Sequence, residues 1–213
     1  YRQMPQLVEQ GHIYIAQPPL YKIKQGKSER YIKDDQELNQ HLLHLALEGT
    51  QLETRPGAAV IEGDALGELA RSYLLAEAVI RRLSDFIDSE VLHALLAFDI
   101  ALDVTSEKAA RASAEKITAQ VGKNIVVDVR FDDKHERWII AVTRIHHGNQ
   151  RSCQIDDDFV LSGDYLQLRK TAQLISGLIS EETTIRRGEK SQAVTSFSEA
   201  MRWMLNEAER GLT

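Results

Sequence analysis

The sequence has a single cysteine and no long apolar run, and each shortage excludes a class of protein. One cysteine, Cys153, excludes a disulfide within the chain and is typical of a reducing compartment, so we expect a cytoplasmic location. No stretch approaches the roughly 18 uninterrupted apolar residues of a membrane span, and the polar start at Tyr1 is not that of a signal peptide. We therefore expect no membrane partner.

The sequence also lacks the glycine pattern of a nucleotide-binding site. The chain has no Gly-rich loop of the kind that cradles phosphates, so we do not expect it to bind a nucleotide. Its composition is otherwise ordinary for a globular domain, at 43% hydrophobic and 27% charged residues. A chain of 213 residues is long enough to bury one substantial core or two small ones.

Positive charge is concentrated in one short segment. Residues 12–33 contain five basic residues and one acidic residue, Glu29, although the whole chain has a net charge of −6. Because residues 1–11 are neutral, residues 34–213 carry a net charge of −10. The basic residues are Lys22, Lys24, Lys27, Arg30 and Lys33. Lysine and arginine neutralise DNA phosphates without reading base sequence, so this segment is the candidate site for a polyanion.

The same segment predicts a β-ribbon. Pro18-Pro19 cannot donate to a sheet ladder, Leu20–Lys24 alternates, Gln25-Gly26-Lys27 supplies a turn, and Glu29–Ile32 returns the chain. We predict that its outer face carries the candidates for DNA contact, Lys22, Lys24, Lys27 and Arg30. The alternative is that these charges only protect an exposed sheet edge from aggregation.

Apolar periodicity predicts an α+β fold with several helices packed on a small antiparallel sheet. A short helix near Pro5 and a strand at residues 12–16 open the chain, and Asp34-Asp35 are placed to cap a helix that ends before Gly49. Further helices are predicted at 64–87, with Asp64 as its cap, and at 89–97, 106–121, 165–179 and 196–210. Alternation predicts a β-meander over 124–155, a strand at 50–54 and a basic-tipped hairpin or loop at 186–190.

Four groups of residues resemble catalytic or metal sites, and we interpret each as structural. Asp156-Asp157-Asp158 are better explained as a turn or helix cap than as a magnesium site, and His41 with His44 lack a third zinc ligand. His146-His147 flank a hairpin turn, where we expect adjacent side chains to diverge. No motif places a base beside Cys153, which we expect to pack as a small residue. We therefore predict no catalytic, cofactor-binding or metal-binding residue in this chain.

Two runs of residues carry a family resemblance. EQGHIYIAQPPLYK at Glu9–Lys22 and YIKDD at Tyr31–Asp35, with Gly26-Lys27 between them, resemble the B-subunit family of bacterial DNA gyrase, a type IIA topoisomerase. The B subunit of topoisomerase IV has a similar segment, but there we expect Ala-Leu-Pro-Pro-Leu-Tyr-Arg. Gln17 and Lys22 therefore favour gyrase.

The resemblance implies a domain organisation. Residues 1–37 would belong to a Toprim domain, residues 38–208 to the insertion of many Gram-negative gyrase B subunits, and residues 209–213 to a return toward Toprim. The family's Glu-Gly-Asp-Ser and Asp-x-Asp-x-Asp motifs, which hold Mg²⁺, do not occur in this sequence. We therefore expect an excised and catalytically inactive piece of an ATP-hydrolysing enzyme that negatively supercoils DNA.

The resemblance also implies cofactors and partners for the parent protein. These are Mg²⁺ and ATP, double-stranded DNA, and the gyrase A subunit in a heterotetramer of two A and two B subunits. For the insertion we hypothesise a non-catalytic brace that affects DNA binding and its coupling to ATP. Two alternatives stay open: a non-enzymatic interaction module, and a topoisomerase IV B subunit with an unusual insertion.

Overall fold

A computed structural model of the chain describes residue 6 and residues 18–25 and 28–211. The chain forms two compact units, one of Tyr1–Glu48 with Arg202–Thr213 and the other of Gly49–Met201. Helices combined with separate antiparallel sheets confirm the predicted α+β class. The opening helix near Pro5 and the strand predicted at 12–16 fall, apart from Gln6, outside the described residues.

The first unit contains a two-stranded ribbon followed by a helix. Strand β1 is Tyr21–Gln25, strand β2 is Ser28–Ile32, and helix α1 is Asp35–Leu47. Asp34 caps α1, because its side chain accepts a hydrogen bond from the Glu37 N–H at 2.8 Å. The polar residue before an apolar stripe thus performs the capping role that the sequence predicted.

The second unit contains two antiparallel sheets and most of the helices. Its helices are α2 (Gly63–Leu83), α3 (Ser89–Ala97), α4 (Glu107–Thr118), α5 (Asp157–Val160), α6 (Gly163–Ile175) and the start of α7 (Phe197–Glu209). Its strands are β3 (Thr50–Glu53), β4 (Val60–Glu62), β5 (Ile125–Asp132), β6 (Arg137–His146), β7 (Asn149–Ile155), β8 (Thr184–Arg187) and β9 (Lys190–Ala193). Within the described part of the chain, no helix is both long enough and apolar enough to cross a bilayer.

A four-stranded antiparallel sheet joins segments that are far apart in sequence. Its strand order is β4-β3-β8-β9, and β3 pairs with β8 so that Leu52 lies opposite Ile185. Both side chains are fully buried and form the inner face of this sheet. The sequence predicted a strand near residue 50 and a hairpin or loop near residue 188, but not that they belong to one sheet.

The predicted meander forms the second sheet, in the order β5-β6-β7. Helix α4 packs on β5 and β6, and the alternating residues Ile125 and Val129 point into that buried face. Phe131 continues this alternation but is exposed. Its ring packs edge-on against Trp138, with ring centroids 5.1 Å apart. The sheet therefore has one covered face, as its apolar pattern indicated.

Helix α2 ends at Leu83, four residues before its predicted end. The Ile87 N–H donates to the Leu83 carbonyl at 2.9 Å, and this turn brings Ile87 into the core. The Arg151 guanidinium donates to the carbonyl oxygens of Ser84 and Asp85 at 3.1 and 2.8 Å. A side chain from β7 thus hydrogen-bonds the carbonyl oxygens that a further helical turn would have used. The apolar pattern therefore extends to Ile87, although the helix ends at Leu83.

Helix α3 spans the predicted residues 89–97, whereas the boundaries of the other predicted helices of this unit differ at their ends. Helix α2 begins at Gly63, and Asp64, the predicted cap, lies in its first turn. The cap position is Glu62, whose side chain accepts a hydrogen bond from Gln51 and makes none to the helix. Helix α4 covers 107–118 where 106–121 was predicted, α6 covers 163–175 where 165–179 was predicted, and α7 covers 197–209 where 196–210 was predicted.

An ionic cluster joins α3, β6 and the chain that follows α4. We call it the Arg144 junction, and it consists of Arg144, Asp88, Glu90 and the backbone of Gly122. Asp88 accepts from the Glu90 N–H at 3.0 Å, which caps α3, and from Arg144 Nε at 2.6 Å. Glu90 accepts from Arg144 Nη2 at 2.9 Å and from the Gly122 N–H at 2.6 Å. The hydrogen bond from Arg144 holds the pKa of Asp88 below its usual value.

We expect Asp88→Ala to lower the free energy of unfolding by about 2–4 kcal/mol, because it removes a helix cap and leaves the half-buried Arg144 without its main partner. Asp88→Asn keeps the capping oxygen and should cost less. Urea denaturation at pH 7 measures both. The control is Ser106→Ala, which removes the cap on α4 (Ser106 accepts from the Ala109 N–H at 3.2 Å) but no ion pair, and should cost about 1 kcal/mol. Equal losses in Asp88→Ala and Ser106→Ala would contradict a role for Arg144.

Glu77 interrupts the apolar stripe of α2, and the structure shows its partners. Its Oε1 accepts from the Tyr73 hydroxyl at 2.5 Å, and its Oε2 lies 3.3 Å from Nε2 of His93 on α3. Nδ1 of His93 lies 2.7 Å from the Ser89 carbonyl oxygen. Both ring nitrogens therefore face acceptors, an arrangement that only the imidazolium satisfies. The hydrogen bond to Glu77 raises the pKa of His93, and the same bond lowers the pKa of Glu77.

This pair predicts a pH dependence. Because the folded-state pKa of His93 lies above its unfolded value of about 6.5, its contribution to stability is complete below pH 6.5 and is lost as pH rises through the folded pKa. We expect NMR titration to give His93 a pKa above 6.5, and Glu77→Gln to return it toward that value. The stability difference between wild type and His93→Gln should be largest in mild acid. A His93 pKa that is the same with and without Glu77→Gln would refute the interaction.

Candidate nucleic-acid interface

The register of the ribbon assigns its side chains to two faces. Lys22 pairs with Tyr31 and Lys24 with Glu29, while Tyr21 pairs with Ile32 and Ile23 with Arg30. Directly opposed residues in an antiparallel pair share a face. One face therefore carries the buried Ile23 and Ile32 together with Tyr21 and Arg30. The other carries Lys22, Lys24, Glu29 and Tyr31, all exposed, and we call it the lysine face.

The prediction that all four basic candidates share one outer face is wrong for Arg30. The register places Arg30 opposite Ile23, and its Nη2 lies 3.4 Å from Glu37 Oε1 on α1. Alternation assigns faces within one strand, but the turn sets the register of the second strand, and a shift of one residue exchanges its faces. Lys27, the fourth candidate, lies outside the described residues.

The two lysines of the lysine face have different surroundings. Lys22 Nζ lies 2.8 Å from Glu29 Oε2 and 5.8 Å from the centre of the Tyr31 ring. Such an exposed pair adds little stability, but it offsets the charge of Lys22. Lys24 is exposed and makes no ion pair with any residue in the described ranges. Of these two side chains, Lys24 is the one whose charge is available to a phosphate.

Helix α1 supplies acidic partners to the ribbon. The Tyr21 hydroxyl donates to Asp35, and the Lys33 N–H donates to Glu37 Oε2 at 3.0 Å. The hydrogen bond to Asp35, and then the charge of Asp35, raise the pKa of Tyr21. These contacts join the ribbon to the first turn of the helix, so the lysine face is presented on an anchored hairpin.

The charge of the ribbon is balanced inside its own unit. Residues 34–48 contain four acidic residues and no lysine or arginine, and they offset the net charge of +4 on residues 12–33. Between Gly49 and Met201 there are 24 acidic and 18 basic residues, so the second unit carries the whole net charge of −6. The sequence count treated residues 34–213 as one acidic body and therefore missed the acidic partners that α1 supplies to the ribbon, Asp35 and Glu37.

His41 and His44 lie on α1 as predicted but form no cluster with a third ligand among the residues that the structure describes. His44 Nε2 lies 3.6 Å from Glu48 Oε1. Partial burial, and then the charge of Arg30, lower the pKa of His41. His41 is partly exposed and His44 is exposed, so both belong to the surface of α1.

The three consecutive aspartates enclose an arginine. Their ligand atoms lie within 4.8 Å of one another. Arg137 donates to Asp156 at 2.8 Å, to Asp157 at 2.5 Å and to Asp158 at 2.7 Å, and these carboxylates raise its pKa. Asp156 also caps α5 by accepting from the Phe159 N–H at 3.0 Å. Because a guanidinium lies where a metal ion would lie, these residues do not fit a magnesium site, and the capping interpretation agrees with the structure.

The last two groups lie on the meander. The rings of His146 and His147 do not diverge, contrary to expectation: their centroids are 4.2 Å apart in an edge-to-face contact. His147 has a φ of +49°, and this left-handed turn conformation removes the strand alternation that would have separated the two rings. Cys153 is half-buried, and burial raises the pKa of its thiol, so it is not poised as a nucleophile.

Comparison with known families now identifies these parts. The family model of the DNA gyrase B subunit insert domain matches residues 50–208. This chain belongs to the DNA gyrase B subunit insert-domain family. A second family model, described as the hook of GyrB, matches residues 19–47, which contain β1, β2 and α1. The resemblance of this chain to the gyrase B-subunit family is thereby confirmed.

Individual gyrase B relatives extend over the same region. The DNA gyrase B subunit of Caulobacter vibrioides is 30% identical over 213 residues, which is all of this chain and 26% of that protein. The DNA gyrase B subunit of Rickettsia felis is 45% identical over 69 residues, 32% of this chain and 8% of that protein. The type 2 topoisomerase B subunit of Aquifex aeolicus is 61% identical over 44 residues, 21% of this chain and 6% of that protein. The chain spans about a quarter of the length of its Caulobacter relative.

Proposed function

We propose that this chain is part of the B subunit of a DNA gyrase, a cytoplasmic ATP-dependent type II topoisomerase that negatively supercoils DNA by double-strand passage. The observation that carries the proposal is the presence of insert-domain and hook matches in one chain, at residues 50–208 and 19–47. The partners of the intact subunit are double-stranded DNA and the gyrase A subunit, in a heterotetramer of two A and two B subunits. Mg²⁺ acts through other parts of that subunit, since Arg137 already binds the acidic cluster of this chain. ATP does so too, since this sequence has no Gly-rich phosphate loop.

Within this function, the lysine face contacts the DNA backbone. Lys24 is the main contact, because it is exposed and unpaired within the described ranges. Lys22 contributes less because Glu29 competes with phosphate for its ammonium group. Arg30 lies on the opposite face beside Glu37 and does not share this contact. Lysine suits backbone binding that is independent of sequence, since its ammonium group acts as a point charge.

In the intact enzyme, Lys24→Ala should weaken DNA binding and lower the salt slope of log K by about one phosphate contact. Replacing Lys22, Lys24 and Lys27 together should weaken it further, and Glu29→Gln should strengthen it by releasing Lys22. Fluorescence anisotropy of a labelled duplex over a salt series measures these changes. The matched control is Arg30→Ala, which removes the same charge from the opposite face and should leave the salt slope unchanged.

A second candidate is that the ribbon serves only as a protected sheet edge in a non-enzymatic interaction module. The contacts that favour it are the Lys22–Glu29 and Arg30–Glu37 pairs, which satisfy half of the basic candidates internally. On this account, Ala at positions 22, 24 and 27 leaves the salt slope of DNA binding at its wild-type value, whereas our proposal requires the slope to fall.

The second unit acts as a non-catalytic brace on DNA binding and on its coupling to ATP. Its net charge of −6 repels a duplex, so it restricts the routes that DNA can take. Internal ion pairs such as those of the Arg144 junction stiffen it, which suits a part that resists load. The A subunit is the partner that we propose for this brace.

Deletion tests the brace. Substituting a short Gly-Ser linker for residues 49–201 in the intact protein should leave it folded while weakening supercoiling, or increasing the ATP hydrolysed for each supercoil introduced. Supercoiling on relaxed plasmid and ATPase rates with and without DNA measure both. Unchanged supercoiling together with an unchanged ATP requirement would exclude the brace and leave the gyrase assignment intact.

A further inference from the structure

A groove runs along the second unit between α2 and α6 and holds about 770 Å³ of space. Its floor is apolar and is formed by Ile61, Leu69, Leu75, Leu174 and Leu178. Leu75 is 58% exposed and Leu174 is 45% exposed, although both helices bury their opposite faces in the core. Single exposed leucines are ordinary, but five apolar side chains from four segments that line one concavity form a binding surface.

The shape of the groove fits a helix. Two packed helices form its walls, and an amphipathic helix that lays its apolar face between two such walls is a recurring mode of protein recognition. Ala65, Glu68, Ser72 and Leu75 line the groove at the i, i+3, i+7 and i+10 spacing of one face of α2. A guest helix with apolar residues at positions i, i+3, i+4 and i+7 matches this spacing.

The charges at the rim define the guest further. Arg71 on α2 and Lys170 on α6 line the groove together with one acidic residue, Glu68, and none of the three makes an ion pair with a residue that the structure describes. Elsewhere on these helices, Arg82 pairs with Asp164, away from the groove. The rim therefore carries a net charge of +1 on a unit whose net charge is −6. Complementary charge selects an acidic partner.

We propose that this groove binds an amphipathic helix of another protein chain, with an apolar stripe that covers Leu75 and Leu174 and flanking carboxylates that meet Arg71 and Lys170. A second copy of this chain is a poorer guest, because its own Arg71 and Lys170 would face the same two cations with only Glu68 to oppose them. The inference goes beyond the proposed function and does not depend on DNA binding by the ribbon.

Synthetic helical peptides of about 18 residues test the groove in the 213-residue chain. One labelled probe carries a leucine stripe flanked by glutamates, and a second carries the same stripe flanked by lysines. We expect the glutamate probe to bind roughly tenfold more tightly in fluorescence anisotropy. Combining Leu75→Ser with Leu174→Ser should weaken that binding by about tenfold or more, and combining Arg71→Glu with Lys170→Glu should reverse the preference between probes.

The matched control is Leu166→Ser, since Leu166 lies on α6 and is 58% exposed, as Leu75 is, but does not line the groove. It should bind the glutamate probe as wild type does, and circular dichroism of every variant confirms that each is folded. Binding of neither probe, equal binding of both, or an equal loss in Leu166→Ser would overturn the proposal. So would self-association in sedimentation that Leu75→Ser with Leu174→Ser abolishes, because the groove would then be an interface between copies of the chain.

Discussion

The Arg144 junction links three parts of the second unit through one ionic cluster. Its two carboxylates lie two residues apart at the start of α3, and its arginine comes from the middle of the meander. A half-buried ion pair is stabilising only while its members are all present, because each charge has given up water to join it. Since Glu90 also accepts a hydrogen bond from the Gly122 N–H, the junction holds a helix start, a sheet and the chain that follows α4 in a single geometry.

Local chemistry made most of the helices predictable. A polar cap precedes the apolar stripe of α1, α3 and α4, where Asp34, Asp88 and Ser106 each accept a hydrogen bond from the backbone, as we expected for Asp34. Helix ends were harder to predict when a distant residue determined them. Arg151 donates hydrogen bonds to the carbonyl oxygens that follow α2. No sequence pattern near residue 84 indicates that residue 151 lies beside it.

The pairing of strands that are far apart in the chain could not be predicted from the sequence for the same reason. Strands β3 and β8 each have an ordinary local pattern, but only the folded chain brings Leu52 opposite Ile185. The candidate interface shows the same limit on a smaller scale. Composition located the basic ribbon correctly. It could not give the strand register that places Arg30 on the face opposite Lys24. Nor could it give the carboxylates that pair with Lys22 and Arg30, because those contacts cross from strand to strand and from the ribbon to a helix. Counting charges along a chain is therefore a poor guide to the charge that a ligand meets.

The aspartates that surround Arg137 constrain which substitutions the sequence can accept first. The Arg137 guanidinium lies among three carboxylates whose oxygens are within 4.8 Å of one another. A fourth carboxylate, that of Asp132, lies 4.0 Å from Nε of Arg137. Loss of that arginine alone would leave like charges crowded together, while loss of one aspartate would be absorbed by the others. Among relatives, we therefore expect position 137 to change only after some of its acidic neighbours have been replaced, so that charge repulsion constrains the order of substitutions.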